Sequence, residues 1–454
     1  MYSPIQLWVV CQQEEFGSYK MSILRILKNK TVKNAGWIIT EKILQMAISL
    51  VVSLLTARYL GPSNYGLINY AVSFTSFFAA FCNLGINSLL VKELVDNPEQ
   101  EGMVLGTSLW LRGISSFLSA ITIITVVSII DRNEATTILV VALCSLGLIF
   151  QVFNTFNYWF QRHLISKYTA IATLVAYIIM AIYRIVMIVT NQKVVWFALA
   201  TSIDYIVVAV LLIFYYKKLK GQKLSVSWKY GKELLSRSKH FILAGLMVSI
   251  YGQTDKFMLK QMLDVTQTGY YATATTINGM WSFILAAIID SIHPTIMEAH
   301  KAGNEESFKT KNRQLYAIVL YVSIAVVIIF NIFAELIIFI LYGKAYMPAA
   351  MPLRIVSWYT AFSYLGTARS AWIVCKGKQN HLVKIYAIAA LGNVVLNYFL
   401  IPMWGANGAA LASTISQILT GFILPFFIKD LRENAVLMLE GILLKGVIKK
   451  RTKK

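Results

Sequence analysis

The chain has 454 residues, of which 57% are hydrophobic and only 14% are charged, and its mean hydropathy is +0.62. Soluble domains carry about 25% charged residues, so this composition excludes a water-soluble fold. The net charge of +21 is spread between apolar runs instead of forming a basic stripe on a polar domain, which excludes a nucleic-acid-binding protein.

Residues 1–33 are predicted to be an N-terminal cytoplasmic segment. The short apolar stretch LWVV within residues 1–20 is followed by Glu14 and Glu15 and preceded by no basic residue, which is not the pattern of a signal peptide. A basic amphipathic run, MSILRILKNKTVKNAGW, begins at Met21. We therefore expect translation to start at Met21, with residues 1–20 as an upstream extension. Sequencing the N-terminus of the native protein tests this.

Apolar stretches of roughly 20 residues, enough for an α-helix to cross about 30 Å of hydrocarbon, follow this segment. Six of them predict an N-lobe over 34–216, with helices near 34–58, 66–90, 104–130, 136–160, 168–190 and 194–216. A basic cytoplasmic linker, 217–239, leads to a C-lobe over 240–428. Its helices are predicted near 240–262, 269–292, 314–341, 353–375, 381–401 and 405–428. The tail, 429–454, is basic and amphipathic, and we expect it to lie on the inner membrane surface.

The distribution of basic residues predicts the orientation of these helices. With a cytoplasmic N-terminus, the inside segments hold 30 Lys and Arg residues and the outside loops hold six. Because basic residues accumulate on the cytoplasmic side, this asymmetry predicts that both termini are cytoplasmic and that the number of spans is even. The predicted outside loops are all short, which leaves no outside domain for an active site.

An internal repeat relates the two halves of the chain. Superposing them places Gly66 on Gly269 in the first outside turn of each half. In a second correspondence, the loops before each fifth helix resemble each other with Trp159 and Trp372 in register. Two six-helix halves have the same orientation, so their pseudo-symmetry axis runs along the membrane normal. The predicted fold is therefore an all-α polytopic membrane protein with about twelve transmembrane helices in two pseudo-symmetric six-helix lobes around a central cavity. Rocking of the lobes would give alternating access.

Three segments carry a family resemblance: ARYLGPSNYG, YGQTDKFMLKQMLDVTQTGYYATA and GKQNHLVKIYAIAALGNVVLNYFLIPMWGANGAALAST. From about residue 30 onward, the chain resembles O-antigen-type polysaccharide-biosynthesis flippases of the multidrug/oligosaccharidyl-lipid/polysaccharide exporter superfamily. The resemblance implies two six-helix lobes around a cationic lumen in a bacterial inner membrane. It also implies undecaprenyl-diphosphate-linked oligosaccharide units as the substrate. Asp255 and Lys256 fit the family's acidic-then-basic pattern.

Charges within the predicted spans are candidate site residues, because burying one in the bilayer costs roughly 2.5–3.5 kcal/mol on insertion scales. The basic candidates are Lys42, Arg112, Arg184, Lys256 and Arg369. A guanidinium binds phosphate oxygens bidentately, so we predict that these cations bind the diphosphate in the lumen. The alternatives are structural ion pairs and side chains that extend to the membrane interface.

Acidic and neutral polar residues accompany these cations. Glu41, Asp204 and Asp255 are predicted to balance the positive charges or to bind a coupling proton or sodium ion. Polar side chains at helical spacing are predicted to line the lumen: Gln45, Ser49, Ser53, Asn69, Ser73, Asn83, Ser249 and Gln253. The alternative for such stripes of small and hydroxyl residues is helix packing.

Other functions agree less well with these residues. A cation-coupled multidrug exporter of the same superfamily is the nearer alternative, but we expect an acidic lumen for cationic drugs, and these deep charges are mainly basic. A membrane glycosyltransferase or polymerase would need carboxylates at a water interface and a sizeable outside loop. The pattern GxxxxGK[ST] does not occur either, so ATP is not expected to drive the protein directly.

The sequence predicts a transporter and not an enzyme, without a cofactor or metal site. Its four cysteines and five histidines lack metal-ligand spacing. The expected partners are a lipid-linked oligosaccharide, membrane lipids, a coupling proton or sodium ion and other polysaccharide assembly proteins, but no nucleic acid.

Overall fold

The computed structural model describes residues 30–446, apart from a few side chains inside the helices. Over this range the chain forms helices joined by short connections and contains no β-strand. The predicted start at Met21 and the extension before it lie outside the described residues.

The N-lobe contains seven helices: α1 (Lys30–Asn83), α2 (Asn87–Asp96), α3 (Glu101–Ile130), α4 (Ala135–Gln151), α5 (Phe156–Arg162), α6 (Lys167–Val189) and α7 (Val194–Lys218). α1 bends at Gly61, whose φ of 70° suits glycine, and Pro62 begins the second arm. A 3₁₀ turn over Val152–Thr155 joins α4 to α5 within one span. Six membrane crossings result: two from α1, and one each from α3, α4 with α5, α6 and α7.

The C-lobe contains α8 (Trp228–Met262), α9 (Val265–Gly279), α10 (Ser282–Lys301), α11 (Glu305–Tyr342), α12 (Ala350–Ala368), α13 (Ser370–Cys375), α14 (Asn380–Trp404), α15 (Ala406–Ile418), α16 (Leu424–Phe427) and α17 (Arg432–Ile442). α9 and α10 form one crossing, as do α12 and α13. A wide π-helical turn over Leu419–Ile423 joins α15 to α16. With α8, α11 and α14, the C-lobe also has six crossings.

Length and apolarity support this count. Nine segments of the described chain are long and apolar enough to cross a membrane, and one of them, Gly36–Asn83, contains the bend at Gly61 and crosses twice. α8 and the pair α12–α13 complete the set of twelve, although buried polar side chains such as Asp255 and Arg369 make them less apolar. The predicted all-α architecture of two six-helix lobes is confirmed.

Four apolar clusters form the cores of the described chain: two lie mainly in the N-lobe, one lies in the C-lobe, and one joins the lobes. In the joining core, Ala57 and Tyr65 of α1 pack with Leu259, Tyr271 and other C-lobe residues. The two glycines related by the internal repeat meet here as well. A Cβ on Gly66 would lie 1.7 Å from the carbonyl oxygen of Val265, and one on Gly269 would lie 2.1 Å from that of Pro62. Only glycine allows the second arm of α1 and α9 to approach so closely.

The connection between the lobes differs from the prediction. α8 begins at Trp228, before the predicted boundary at 240, because Ser227 caps it by accepting a hydrogen bond from the Tyr230 amide at 3.3 Å. Residues 219–227 are what remains of the linker, and they lie against α3. The Gly102 amide donates to Gln222 Oε1 at 2.9 Å, and its carbonyl accepts from the Ser225 amide at 3.2 Å.

The C-terminal tail predicted over 429–454 begins with a helix that packs against the C-lobe. α17 lies against α11, and residues 447–454 of this tail lie outside the described residues. An ion pair of 2.6 Å joins Arg313 to Glu440, and Asn434 donates to the Tyr316 hydroxyl at 2.5 Å. Leu437 and Met438 of this helix are therefore buried against protein, whereas Val436 and Leu439 are exposed. Its location at the inner membrane surface stays a prediction.

Candidate functional site

An ionic cluster between the lobes, which we call the latch, closes one end of the molecule. Lys260 of α8 donates to the carboxylate of Asp131, just after α3, and at 3.0 Å to Glu134 Oε1. Asp131 also accepts hydrogen bonds from the Tyr70 hydroxyl at 2.8 Å and from Gln261 Nε2 at 3.0 Å. The side chains of Lys260 and Asp131 are only 7% and 2% exposed. A buried ion pair is stable only when further hydrogen bonds satisfy its charges, as they do here.

Two more contacts seal the same end. Arg58 Nε donates to the Leu341 carbonyl at 2.8 Å, and the Tyr346 hydroxyl donates to the Ala57 carbonyl at 2.7 Å. The residues involved lie in or next to the loops that the sequence predicts to lie outside. A site between the lobes is therefore closed at the predicted outer end in this conformation.

Asp255 lies at the meeting point of four C-lobe helices. Its carboxylate accepts hydrogen bonds from the hydroxyls of Tyr271 on α9 and Ser413 on α15, each at 2.5 Å, and from Asn397 Nδ2 on α14 at 2.6 Å. Asn393, one turn before Asn397, donates to the Ser413 hydroxyl at 3.2 Å. Asp255 is only 5% exposed, and these hydrogen bonds satisfy the oxygens of its buried carboxyl group.

Two neighbouring cavities of about 350 and 200 Å³ lie beside this carboxylate. They share Tyr251 and Tyr359 in their walls, and we refer to them together as the C-lobe cavity. Lys256 lines the first cavity and Arg369 lines the second. Lys256 forms no ion pair with any described residue. The C-lobe thus brings two of the five predicted cations to one hydroxyl-rich space.

Backbone carbonyls hold Arg369 in place. Its Nη1 donates to the carbonyl oxygens of Thr420 at 3.0 Å and Gly421 at 3.5 Å, both in the π-helical turn of Leu419–Ile423. Such a turn leaves carbonyl groups free to accept other donors. Arg369 is 2% exposed, and its Nε has no partner within the described chain. Because these partners are neutral, no described carboxylate offsets the charge of this guanidinium.

Arg112 occupies a comparable environment in the N-lobe. Its Nη1 donates to the Thr155 hydroxyl at 2.7 Å and its Nη2 to Asn83 Oδ1 at 2.6 Å. Its Nε has no partner among residues 30–446, and no carboxylate of this range lies within ion-pair distance of it. Arg112 is 2% exposed and lines neither the C-lobe cavity nor the N-lobe cavity described below. In this conformation it is therefore enclosed within its own lobe.

The N-lobe cavity, of about 310 Å³, lies between the first arm of α1 and helices α5, α6 and α7. Glu41, Lys42 and Asp204 line it. Lys42, with 62% of its side chain exposed, lies 3.6 Å from Glu41 and donates to Gln45 Oε1 at 3.1 Å. Arg184 on α6 interacts electrostatically with Asp204. Lys42 and Arg184 thus face N-lobe carboxylates and do not join the cations of the C-lobe.

The remaining polar residues predicted to line the lumen fall into several environments. Gln45 donates to the Tyr177 hydroxyl, Asn69 to the Tyr65 carbonyl at 3.0 Å, and Ser73 to the Tyr70 carbonyl at 2.6 Å. Ser73 and Gln253 line a mainly apolar cavity of about 280 Å³ between the second arm of α1 and α8. Ser49 is exposed, and Ser53 and Ser249 are half-buried.

Several residues near the predicted site do not follow from the sequence pattern. Asn393, Asn397 and Ser413 contact Asp255 or each other, and the tyrosines Tyr251 and Tyr359 line the C-lobe cavity. The spacing of Asn393 and Asn397, one helical turn apart in an apolar run, is a signal in the sequence. Their proximity to Asp255 depends on how α14 packs against α8, which the sequence pattern does not specify.

Comparison with known proteins agrees with this architecture. A family model described as "Polysaccharide biosynthesis protein" matches residues 31–300. The capsular polysaccharide biosynthesis protein CapF of Staphylococcus aureus is 23% identical over 409 residues, which cover 88% of this chain and 99% of CapF. The lipid II flippase MurJ of Bacillus subtilis is 23% identical over 355 residues, which cover 68% of this chain and 65% of MurJ.

A solved structure has the same fold. It is the inward-facing conformation of a multidrug-resistance transporter of the MATE family, in the MOP superfamily. It superposes with a TM-score of 0.64 at 16% sequence identity, covering 90% of this chain and 96% of the other. The two-lobe helical fold is therefore shared with known membrane transporters.

Proposed function

This chain belongs to the polysaccharide biosynthesis protein family, and from that premise we propose that it moves undecaprenyl-diphosphate-linked oligosaccharide units across the bacterial inner membrane. At the coarser level it is a membrane transporter of the lipid-linked flippase type. The cargo would serve the assembly of O-antigen or another surface polysaccharide. The similarity to CapF and to MurJ supports this proposal, because the first is named for capsular polysaccharide biosynthesis and the second is named as a lipid II flippase.

The observation that carries the proposal is the pair of cations in the C-lobe cavity. Lys256 and Arg369 line adjoining spaces that share the walls of Tyr251 and Tyr359. Lys256 has no ion pair within the described chain, and Arg369 is held only by backbone carbonyls. A diphosphate offers several anionic oxygens, which ammonium and guanidinium groups bind through charge-assisted hydrogen bonds. We assign the diphosphate to this cavity.

The N-lobe cations have supporting roles in this proposal. Arg112 adds a buried positive charge that no described carboxylate neutralises, and rearrangement of the N-lobe during transport would bring it to the lumen. Lys42, exposed beside the N-lobe cavity, would attract the anionic headgroup from the lumen. Arg184 would mainly balance Asp204.

A coupling ion fits Asp255 better than the other acidic residues. Asp255 is enclosed by oxygen-bearing side chains of Asn393, Asn397 and Ser413, and Asn397 Oδ1 has no partner within residues 30–446. Oxygen ligands of this kind suit a hard cation, and a carboxylate also suits a proton. Glu41 and Asp204 face cations of their own lobe, so we assign them to charge balance.

Transport would follow alternating access. The latch and the Gly66–Gly269 contact close the predicted outer end, and opening that end requires the lobes to separate there. Binding of the cargo or the coupling ion would shift the balance between the two states by binding one of them more tightly.

Complementation of a gene deletion tests the function. We expect the deletion strain to lose surface glycan and accumulate lipid-linked intermediates. Wild-type protein should restore surface glycan. Lys256→Ala, Arg369→Ala and Arg112→Ala should each restore at least about tenfold less, the effect of losing about 1.4 kcal/mol of binding free energy. Arg369→Lys should restore display in part because it keeps the charge but loses the fork geometry.

The matched control is Lys193→Ala, which removes an exposed lysine outside both cavities and should complement fully. Each variant is compared at equal membrane abundance. Normal glycan display in the deletion strain, together with altered drug tolerance, would contradict the flippase and favour the multidrug exporter. Full complementation by all three alanine variants would remove these cations from the proposed site.

A further inference from the structure

The side chains that line the N-lobe cavity differ in kind from those proposed to bind the diphosphate. Neutral hydrogen-bonding side chains dominate its wall: Asn154, Asn157, Gln161, Ser166, Thr169 and Thr173. Amides and hydroxyls can both donate and accept hydrogen bonds. The hydroxyl groups of a sugar ring have the same dual character, so this wall is complementary to a carbohydrate.

Several of these polar atoms have no partner within the described chain. Ser166 is only 2% exposed, yet its Oγ is unpaired. Asn157 Oδ1, Thr169 Oγ1 and Asp204 Oδ1 are likewise buried and unpaired. An unpaired buried polar group costs free energy, so a set of four around one cavity indicates that the cavity holds a polar occupant. Asp204 contributes a carboxylate oxygen, a strong acceptor for a ligand hydroxyl.

The charges of the wall argue against an anionic occupant. Glu41, Asp204 and Lys42 line the cavity, and Lys42 lies 3.6 Å from Glu41. Arg184 interacts electrostatically with Asp204 but is not part of the wall. The wall therefore holds two carboxylates and one ammonium group, in contrast to the C-lobe, where Lys256 and Arg369 outnumber Asp255. A diphosphate would meet no excess of positive charge here, whereas the hydroxyls of a neutral glycan match the amides, hydroxyls and carboxylates of this wall.

We propose that the N-lobe cavity is a subsite for neutral sugar rings of the lipid-linked cargo, while the C-lobe cavity holds the diphosphate. This inference rests on the proposed function and assigns the glycan and the diphosphate to different lobes. At about 310 Å³ the cavity is at the lower end of small-ligand sites, so it takes part of the glycan and not a whole repeat unit. Exposed Lys42 and Gln161 lie at its mouth, through which the glycan enters.

The test compares two lipids on the purified full-length protein in nanodiscs. One probe is the lipid-linked oligosaccharide extracted from the host membrane, and the other is undecaprenyl diphosphate without sugar. The wild-type protein is expected to bind the glycosylated lipid at least about tenfold more tightly, because hydroxyls matched by buried polar groups add affinity. The double variant Asn157→Ala/Thr169→Val should lose this preference and bind both lipids as the wild type binds the sugar-free one.

Two comparisons make the result decisive. Retained binding of undecaprenyl diphosphate shows that the double variant is folded, and Thr122→Val, which removes an exposed hydroxyl bonded only to the Leu118 carbonyl, should keep the wild-type preference. A double variant that still prefers the glycosylated lipid, or a wild type that binds both lipids equally, would overturn the subsite. Absence of binding to either lipid by the wild type would instead overturn the proposed function.

Discussion

At the scale of single residues, Asp255 has the most demanding environment in the C-lobe. Three donors, Tyr271, Ser413 and Asn397, point at its carboxylate. In Asp255→Asn an amide NH₂ must face at least one of them, and an unsatisfied buried donor costs about 1–3 kcal/mol. We expect lower thermal stability and loss of any response of transport to an imposed sodium or proton gradient in proteoliposomes.

Asp290→Asn is the control for this prediction, because Asp290 is exposed and forms no ion pair with a described residue. It should keep both stability and the gradient response. If Asp255→Asn transports cargo with an unchanged response to both gradients, Asp255 has no coupling role.

The identity of the candidate residues was predictable from the sequence, but their grouping was not. Charges such as Lys256 and Arg369 stand out in apolar runs because burial in lipid is costly. Their environments depend on helix rotation and on backbone irregularities such as the π-helical turn that binds Arg369. Hydropathy contains no information about either, so the enclosure of Arg112 by Asn83 and Thr155 could not be foreseen.

At the scale of helices, the crossing of α1 and α9 at Gly66 and Gly269 determines how closely the lobes approach. Gly66→Ala places a Cβ 1.7 Å from the Val265 carbonyl, so the helices must separate. Overpacking of this kind costs about 1–3 kcal/mol, and we expect a lower melting temperature in detergent. Gly113→Ala on α3, where nothing lies within 4 Å of the added Cβ, is the control and should leave the melting temperature unchanged or higher. Equal melting temperatures for both variants would contradict the role of this crossing.

The sequence predicts the existence of the helices better than their ends. The apolar runs set the twelve crossings, since each must satisfy its backbone hydrogen bonds within the membrane. The predicted start of α8 is too late because the basic residues of 228–239 resemble a solvated linker. There, Arg237 forms an ion pair of 2.5 Å with Glu93 and Tyr230 donates to the same carboxylate at 2.8 Å, so the helix extends along the N-lobe.

At the scale of the whole molecule, the two-lobe arrangement follows from the repeat, whereas the contacts that hold one end closed do not. In the sequence, Lys260 is only one of six basic residues in the predicted outside loops. Its partners Asp131 and Glu134 lie in the other lobe, more than a hundred residues away in sequence. A pattern within one segment cannot reveal an ion pair that forms only when the two lobes meet.

The latch predicts how the conformational balance responds to mutation. Lys260→Met removes the cation and leaves Asp131 buried without its ion-pair partner, a change that costs about 3–5 kcal/mol in the closed state. The lobes should then separate at this end. The probe is a single cysteine placed at Ser73, which is 2% exposed between α1 and α8, in a protein whose native cysteines are replaced. It should react faster with a thiol reagent in detergent. Adding Asp131→Asn should slow the reaction again, because a neutral amide no longer needs the lysine and still accepts a hydrogen bond from Tyr70 or Gln261. Equal labelling rates with and without Lys260 would mean that the latch does not hold the lobes together.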